Sequence, residues 1–312
     1  MAKKGVIVME KNLAKTSRLT ANSMKIAPYI FVLPFILSFL IFYLYPIIST
    51  VIMSFQKILG PGDVEFIGFA NYARLLSPRF YNSLKVTTLY TIYTIAVLVP
   101  LPIILAVILN SKTTIGKEFF KSAFFIPALT SVVVAGIFYR YAFGDQPTSL
   151  MNTIVSALGG EPIKWLMGRS TGMFVLVLYC TWRWLGVNIV YFLSGLQSIE
   201  DQLYESAEID GANALQKFFH ITLPSLKPVI IYVVTISVYG GYAMFAESYT
   251  LWAGPRSPGD IGTTIVNFLY QQGFNENDLG YGSAIGITLL GIVAIVNAIQ
   301  LSLFGFFKKE SD

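Results

Sequence analysis

The chain has 312 residues, of which 54% are hydrophobic and only 12% are charged, and its formal net charge is +5. With a mean hydropathy of +0.63, this is more apolar sequence than a soluble core of that length needs, so the composition indicates a membrane protein. One cysteine and one histidine exclude intrachain disulfides and leave little for a metal site. The basic residues flank apolar runs, which indicates topology-setting charge and not a nucleic-acid-binding surface.

The N-terminal tail, residues 1–27, carries six lysines and arginines against one acidic residue. A charge-free run from Ile26 to Gln56 follows. This run is too long for the core of a signal peptide, and no small-x-small cleavage site closes it. It is therefore predicted to be a retained transmembrane helix, at about 28–54, with its basic flank in the cytoplasm.

Five further apolar runs are each long enough to cross about 30 Å of hydrocarbon at about 1.5 Å per residue. They predict spans at about 84–110, 120–143, 171–197, 225–247 and 282–307. Pro100 and Pro102 predict a kink in the second span, where neighbouring helices or water would satisfy the freed carbonyls. The predicted fold class is an all-α membrane protein whose six spans occupy residues 28–307, followed by a tail at 308–312.

Six spans place both termini on the same side of the membrane. Eleven lysines and arginines lie in the N-terminal tail, the 112–121 loop and the C-terminal tail, against seven in the opposite loops. Because cytoplasmic loops carry the excess of basic residues, both termini are predicted to be cytoplasmic.

The segment 198–224 is a polar interruption between the fourth and fifth spans and lies on the same side as the termini. Ser198 with Asp201 three positions on predicts a helix start, and Asp210-Gly211 predicts a break. A second short helix is expected over 212–220. Five carboxylates fall within eleven residues, at Glu200, Asp201, Glu205, Glu208 and Asp210.

This segment is either a solvated helix pair that simply connects two spans, or a docking surface for a partner. Asp201 and Glu205 repel each other on one helix face, which a loop selected for stability alone would avoid. Leu215, Phe218 and Phe219 form an apolar face that offers two aromatic rings to water. These features favour docking.

The same segment resembles the EAA loop of the membrane subunits of binding-protein-dependent ABC importers. The likeness rests on Glu205-Ser-Ala-Glu-Ile-Asp-Gly211, nine further residues, and Ile221-Thr-Leu-Pro224, with Ser206 as its one departure. It extends from about Pro28 to Phe306 and is closest to the maltose and multiple-sugar permeases, among them the arabino-oligosaccharide type. Trp252-Ala253 departs from the glycines that such permeases usually carry in the last external loop.

The resemblance implies the type I importer permease fold, in the inner or plasma membrane of a bacterium. In such proteins the loop forms a helix–turn–helix that docks in a cleft of a cytoplasmic ATPase. Glu205 would face the ATPase, Gly211 would form the turn and Pro224 would lead into the next span. The coupling residues expected on this basis are Glu205, Ser206, Ala207, Asp210, Gly211, Phe218, Leu223 and Pro224.

The resemblance also implies the partners: a second permease subunit, an ATPase dimer, an extracytoplasmic solute-binding protein, a sugar and membrane lipid. No Gly-x4-Gly-Lys-Ser/Thr phosphate-binding loop occurs in the chain. The chain is therefore predicted not to be an enzyme and to bind no cofactor itself, with ATP and Mg held by the partner ATPase.

Polar and aromatic residues recur at helical spacing in spans four and five. Such stripes offer hydrogen bonds and ring faces to a neutral sugar, whereas the alternative is helix packing through interhelical hydrogen bonds. Arg183 is costly in mid-span and should face a cavity or a partner, for which Glu247 is a candidate at a poorly matched depth. The candidate substrate-pathway residues are Trp184, Asn188, Tyr191, Tyr239, Tyr242, Arg183 and Glu247.

Two other functions are compatible with a polytopic membrane protein. A secondary transporter driven by an ion gradient usually needs a buried carboxylate, and Glu247 is expected to lie too far out to serve. A non-transporting membrane scaffold would leave the polar segment unexplained. Loss of uptake with the ATPase, as opposed to loss with a protonophore, would separate an ATP-driven importer from the ion-driven one.

Overall fold

A computed structural model of the protein describes residues 27–60 and 62–305. The chain divides into two units, Met1–Met53 and Ser54–Asp312. Within the first unit a single helix begins at Ala27, and this helix, α1, continues to Ser54. It widens into a π-helical turn over Leu40–Leu44, immediately before Pro46, whose ring nitrogen cannot donate the next α-helical hydrogen bond.

Within the described residues, four helices are long and apolar enough to cross a membrane, and the number rises to six if each of two bent pairs counts as one span. The second of the four, Pro78–Asn110, is interrupted at Val99 and consists of α3 (Pro78–Leu98) and α4 (Pro100–Asn110). The interruption lies at the predicted proline kink. The other two are α8 (Arg169–Gln197) and α15 (Leu279–Leu303).

Two predicted spans are bent. In the third, α5 (Lys117–Leu129) and α6 (Val132–Ala142) meet at 95° because Thr130 and Ser131 have extended backbones that end the first helix. At the start of the fifth, the segment Ala214–Ser225, most of which was predicted to belong to the preceding loop, meets α12 (Lys227–Tyr242) at 64°. Pro228 lies in the first turn of α12 and cannot donate a hydrogen bond back to the preceding helix.

The remaining helices are short and lie in the connections. They are α2 (Ala70–Ala73), α7 (Leu150–Ala157), α9 (Asp201–Ile209), α10 (Ala214–Lys217), α11 (Leu223–Ser225), α13 (Ala246–Leu251) and α14 (Ile265–Tyr270).

The chain is predominantly helical, as predicted, and one short β-hairpin lies outside the helices. Strands β1 (Gln56–Gly60) and β2 (Asp63–Phe66) form this antiparallel hairpin between the first two predicted spans. The strands are too short to show a clear alternation of apolar and polar residues. The buried Asn71 side chain donates to the Gln56 carbonyl at 2.9 Å and so ties the hairpin to α2.

Helix α8 is the centre of the second unit. Its side chains contribute to two hydrophobic clusters, one shared with α3, α6 and α13 and the other with α4 and α12. Leu176, Tyr179, Ile189 and Phe192 are among its fully buried residues. At Gly186 the helix lies so close to α5 that a Cβ atom would overlap the Phe124 carbonyl group.

The span boundaries differ from those predicted in two places that matter for the site. Helix α3 begins at Pro78, capped by the Ser77 hydroxyl, six residues before the predicted start of the second span. Helix α12 ends at Tyr242, and Glu247 belongs to the separate helix α13. The predicted face of span five therefore does not continue to Glu247.

Candidate functional site

The polar segment between α8 and α12 is a helix–turn–helix. Its first helix, α9, begins after Glu200, whereas the sequence predicted a start at Ser198. Ser198 has helical backbone angles and ends α8, and its hydroxyl donates to the Gly195 carbonyl at 2.7 Å. The predicted start was wrong because the Ser-x-x-Asp pattern at this position follows a long helix that had not yet ended.

The turn lies at Gly211, whose φ of +80° is strained for any residue with a side chain. Asn213 and Gln216 then form a reciprocal capping box at the start of α10, with hydrogen bonds of 2.9 and 2.8 Å. The second helix begins at Ala214, two residues after the predicted start, and continues to Ser225. It passes at Lys217 into a π-helical turn, Phe218–Thr222, because Pro224 has no N–H to continue the α-helical pattern.

Side-chain contacts link the two arms of this helix–turn–helix. Lys217 Nζ lies 2.6 Å from Glu208 Oε1, and this hydrogen bond holds the pKa of the Glu208 carboxyl below its ordinary value of 4.5. The Tyr204 and Thr222 hydroxyls are 2.9 Å apart. The relative position of α9 and α10 is therefore set within the segment itself.

The outer surface of the helix–turn–helix is apolar and acidic. Ile209, Leu215 and Phe219 are 87%, 70% and 57% exposed. Glu205 is exposed and forms no ion pair with any residue of the described ranges. Asp201 lies 4.0 Å from Lys112, so the two carboxylates expected to repel each other are in different electrostatic surroundings.

The eight predicted coupling residues divide into two groups. Ser206, Asp210, Gly211 and Pro224 are exposed together with Glu205, whereas Ala207, Phe218 and Leu223 are half-buried. Phe218 and Leu223 pack against the cluster shared by α4, α8 and α12. The expectation that both aromatic rings face water is therefore wrong for Phe218, because the π-helical turn directs it inward and leaves only Phe219 exposed.

A cavity of about 330 Å³ lies between α3, α8, α12 and α13. It brings together Trp184 and Asn188 of α8, Tyr239 of α12 and Glu247 of α13, all four predicted from the sequence. The wall formed by α3 was not predicted. It is made of Tyr90, Thr94 and Leu98, whose spacing of four residues on a span with polar side chains was an available signal.

Arg183 and Glu247 form an ion pair beside this cavity. Arg183 Nη1 lies 2.7 Å from Glu247 Oε1, and each side chain is only 13% exposed. The guanidinium also lies 5.5 Å from the centre of the Trp184 ring. The expected mismatch in depth does not prevent the pairing, because α12 ends at Tyr242 and Glu247 lies on the separate helix α13, which shares a hydrophobic cluster with α8.

Asn188 combines a place in the cavity wall with a structural contact. Its side-chain amide donates to the Leu98 carbonyl at 2.9 Å. Pro102, four residues after Leu98, cannot donate to that carbonyl, so the Asn188 amide replaces the missing helical hydrogen bond. The expectation that a neighbouring helix satisfies a carbonyl freed by the prolines is confirmed.

Besides Arg183, two predicted residues lie outside the cavity wall. Tyr191 packs edge-on against Tyr232, with ring centres 5.2 Å apart. Tyr242 is buried, and its hydroxyl lies 3.0 Å from the Thr88 hydroxyl on α3. Both follow the helical spacing of the predicted stripes, but spacing alone did not reveal which neighbouring helix each one meets.

Comparison with known proteins gives concordant likenesses. A family described as "Binding-protein-dependent transport system inner membrane component" matches residues 67–304. Over 288 residues the chain is 56% identical to the arabinooligosaccharides transport system permease protein AraP of Bacillus subtilis (strain 168), covering 92% of this chain and 91% of that protein. A protein of the same name from Halalkalibacterium halodurans is 47% identical over 304 residues, covering 97% and 96%.

A solved structure resembles the fold. The crystal structure of a bacterial ABC transporter involved in the import of the acidic polysaccharide alginate contains a chain that superposes with a TM-score of 0.81. The superposition covers 94% of this chain and 100% of that chain, at 23% sequence identity. At this identity the likeness concerns the fold alone.

Proposed function

The chain belongs to the family of binding-protein-dependent transport system inner membrane components, and from that premise we propose that it is a permease subunit of an ATP-driven sugar importer. The membership expected from the polar segment is thereby confirmed, as is the predominantly helical membrane fold. In this proposal an extracytoplasmic binding protein delivers the sugar, which crosses the membrane by alternating access. A separate ATPase dimer holds ATP and Mg and supplies the energy.

One observation carries the coupling half of the proposal. The helix–turn–helix over 201–222 holds its own shape through the Glu208–Lys217 and Tyr204–Thr222 contacts, yet it presents exposed apolar side chains and the unpaired Glu205. An apolar patch with an acidic rim is typical of an interaction surface. We assign it to the ATPase, on the cytoplasmic side, where the excess of basic residues also places both termini.

The cargo half of the proposal rests on the cavity and on the relatives. Trp184 and Tyr239 offer aromatic faces, and Thr94 and Asn188 offer hydrogen-bonding groups. Sugars bind through such a combination of stacking and hydrogen bonds. The two arabinooligosaccharide permease relatives support an oligosaccharide of that class as the cargo, and a second permease subunit completes the translocation path.

Charge reversal at Glu205 is expected to weaken assembly with the ATPase. A partner surface that accepts a carboxylate would meet a lysine instead, and we expect co-purification of the ATPase with Glu205→Lys to fall about tenfold, with uptake falling in parallel. Glu65→Lys is the matched control, because Glu65 is equally exposed but lies in the hairpin. Unchanged assembly and uptake in Glu205→Lys would contradict the coupling assignment.

Truncation of the aromatic side chains in the cavity wall is expected to reduce sugar transport while the complex remains assembled. For Trp184→Ala and Tyr239→Ala we expect about tenfold slower sugar uptake, because each removes a stacking surface. Tyr141→Ala is the control for Tyr239→Ala: the two tyrosines are 68% and 66% exposed, and Tyr141 is not in the cavity wall. Full uptake by both cavity variants would place the sugar elsewhere.

The test against an ion-driven transporter centres on Glu247. This carboxylate is nearly buried, pairs with Arg183 and lines the cavity. Uptake that disappears with the ATPase and persists with a protonophore supports the ATP-driven importer. The reverse pattern would favour proton coupling.

A further inference from the structure

A second cavity, here called the groove, also lies between α8 and α3, nearer the N-terminal end of each helix. It has a volume of about 600 Å³. Its wall on α3 contains Lys85, Val86, Leu89 and Tyr93, and its wall on α8 contains Arg169, Ser170, Met173, Phe174 and Val177, with Ile261 at the end. Both walls belong to helices that are apolar enough to span a membrane, and the side chains that line the groove are mainly apolar.

The polar and apolar parts of the groove are segregated along its length. Lys85 and Arg169 lie at one end, and both are exposed. From each cation the wall continues for eight residues, or about 12 Å, through side chains that are almost all apolar or aromatic. The groove therefore has a cationic end at Lys85 and Arg169, here called its mouth, and is apolar over the rest of its length.

The two cations at the mouth are not neutralised. Neither Lys85 nor Arg169 forms an ion pair with a carboxylate in the part of the chain that the structure describes. Arg169 is nevertheless held in place: its Nη2 donates to Asn82 Oδ1 at 2.9 Å, and the Asn82 amide donates to the Asp260 carbonyl at 2.8 Å. A guanidinium that is fixed in position and has no carboxylate partner is preorganised to bind an anion.

The N-terminus of α8 reinforces this preference. Arg169 is the first residue of a 29-residue helix, and Ser170 in the groove wall is the second. The positive end of the helix dipole therefore lies at the same mouth as the two side-chain cations.

We propose that this groove binds one anionic phospholipid, with its phosphate at Lys85 and Arg169 and an acyl chain along Tyr93, Phe174 and Val177. Charge complementarity selects this occupant. A free phosphate ester would pair with the two cations but leave the apolar part of the groove unfilled. An apolar helix of a partner subunit would fill the length and leave two unpaired cations against hydrocarbon, which is costly.

The test is a lipid titration of the purified transporter complex, followed by native mass spectrometry. Phosphatidylglycerol and phosphatidylcholine with identical acyl chains are compared, and glycerol phosphate is the competitor. We expect phosphatidylglycerol to bind about thirtyfold more tightly, since each cation contributes to headgroup binding, and glycerol phosphate not to displace it. Equal affinity for the two lipids, or displacement by glycerol phosphate at similar concentration, would overturn the proposal.

Variants assign the binding to this groove. Lys85→Gln with Arg169→Gln should abolish the preference for phosphatidylglycerol, whereas Lys57→Gln with Lys164→Gln, which changes two exposed lysines outside the groove, should retain it. Val177→Trp, which fills the groove, should weaken both lipids. A preference that survives Lys85→Gln/Arg169→Gln would refute the site. These readouts do not depend on sugar transport, so they remain decisive if the proposed cargo is wrong.

Discussion

Gly186→Ala is expected to destabilise the protein by about 3 kcal/mol or more, because the added methyl group meets backbone and not a flexible side chain. A Cβ at this position would overlap the carbonyl group of Phe124 and approach the Phe125 nitrogen. Helix α5 must then move away from α8, although at Gly186 the two helix backbones pack directly against each other. Thermal unfolding of the detergent-purified complex, followed by intrinsic fluorescence, measures the loss.

The matched control is Gly291→Ala. Gly291 also lies within a long helix, α15, but a Cβ there meets no atom within 4 Å. We expect this variant to match the wild type or to be slightly more stable, since alanine favours the helix. If both variants unfolded at the same temperature, the close contact between α5 and α8 would not be a determinant of stability.

Glu247→Gln is expected to have a comparably large effect, of about 3 to 5 kcal/mol, because it leaves the Arg183 charge nearly buried without its counter-ion. Both side chains are 13% exposed, so water screens the remaining guanidinium only weakly. We expect lower yields of folded complex and a lower unfolding temperature. Differential scanning fluorimetry with protein from equal membrane quantities measures both.

A variant that lacks both charges distinguishes the contribution of charge balance to stability from that of the surrounding packing. Arg183→Met combined with Glu247→Gln should recover most of the stability lost in Glu247→Gln alone, because the replacement by neutral side chains abolishes the uncompensated charge. Arg140→Met is the control for a single arginine change, since Arg140 forms no ion pair within the described residues. A double variant as unstable as Glu247→Gln would show that the pair acts through something other than charge balance.

The sequence predicted the long apolar runs and the helix–turn–helix well, because both depend on local composition. The runs Ile26–Gln56 and 171–197 are long, uncharged or nearly so, and their helical state follows from the bilayer thickness. The turn at Gly211 and the closing Pro224 are equally local signals.

What sequence reasoning missed depends on contacts between distant elements. Glu247 was a candidate partner for Arg183, but the end of α12 at Tyr242 and the separate helix α13 that carries Glu247 were not predicted. Tyr191 and Tyr242 follow the same helical spacing as Trp184 and Tyr239 but pack against other helices. Helical periodicity identifies a face, whereas the neighbour of that face is a tertiary property.

The Arg183–Glu247 pair has a consequence for energetics across the membrane. A single charge that moves through the full membrane field gains or loses about 2.3 kcal/mol per 100 mV. Here opposite charges are joined at 2.7 Å, so any displacement that carries α8 and α13 together transfers no net charge at this point. The membrane potential therefore does no net work on this ion pair during such a movement.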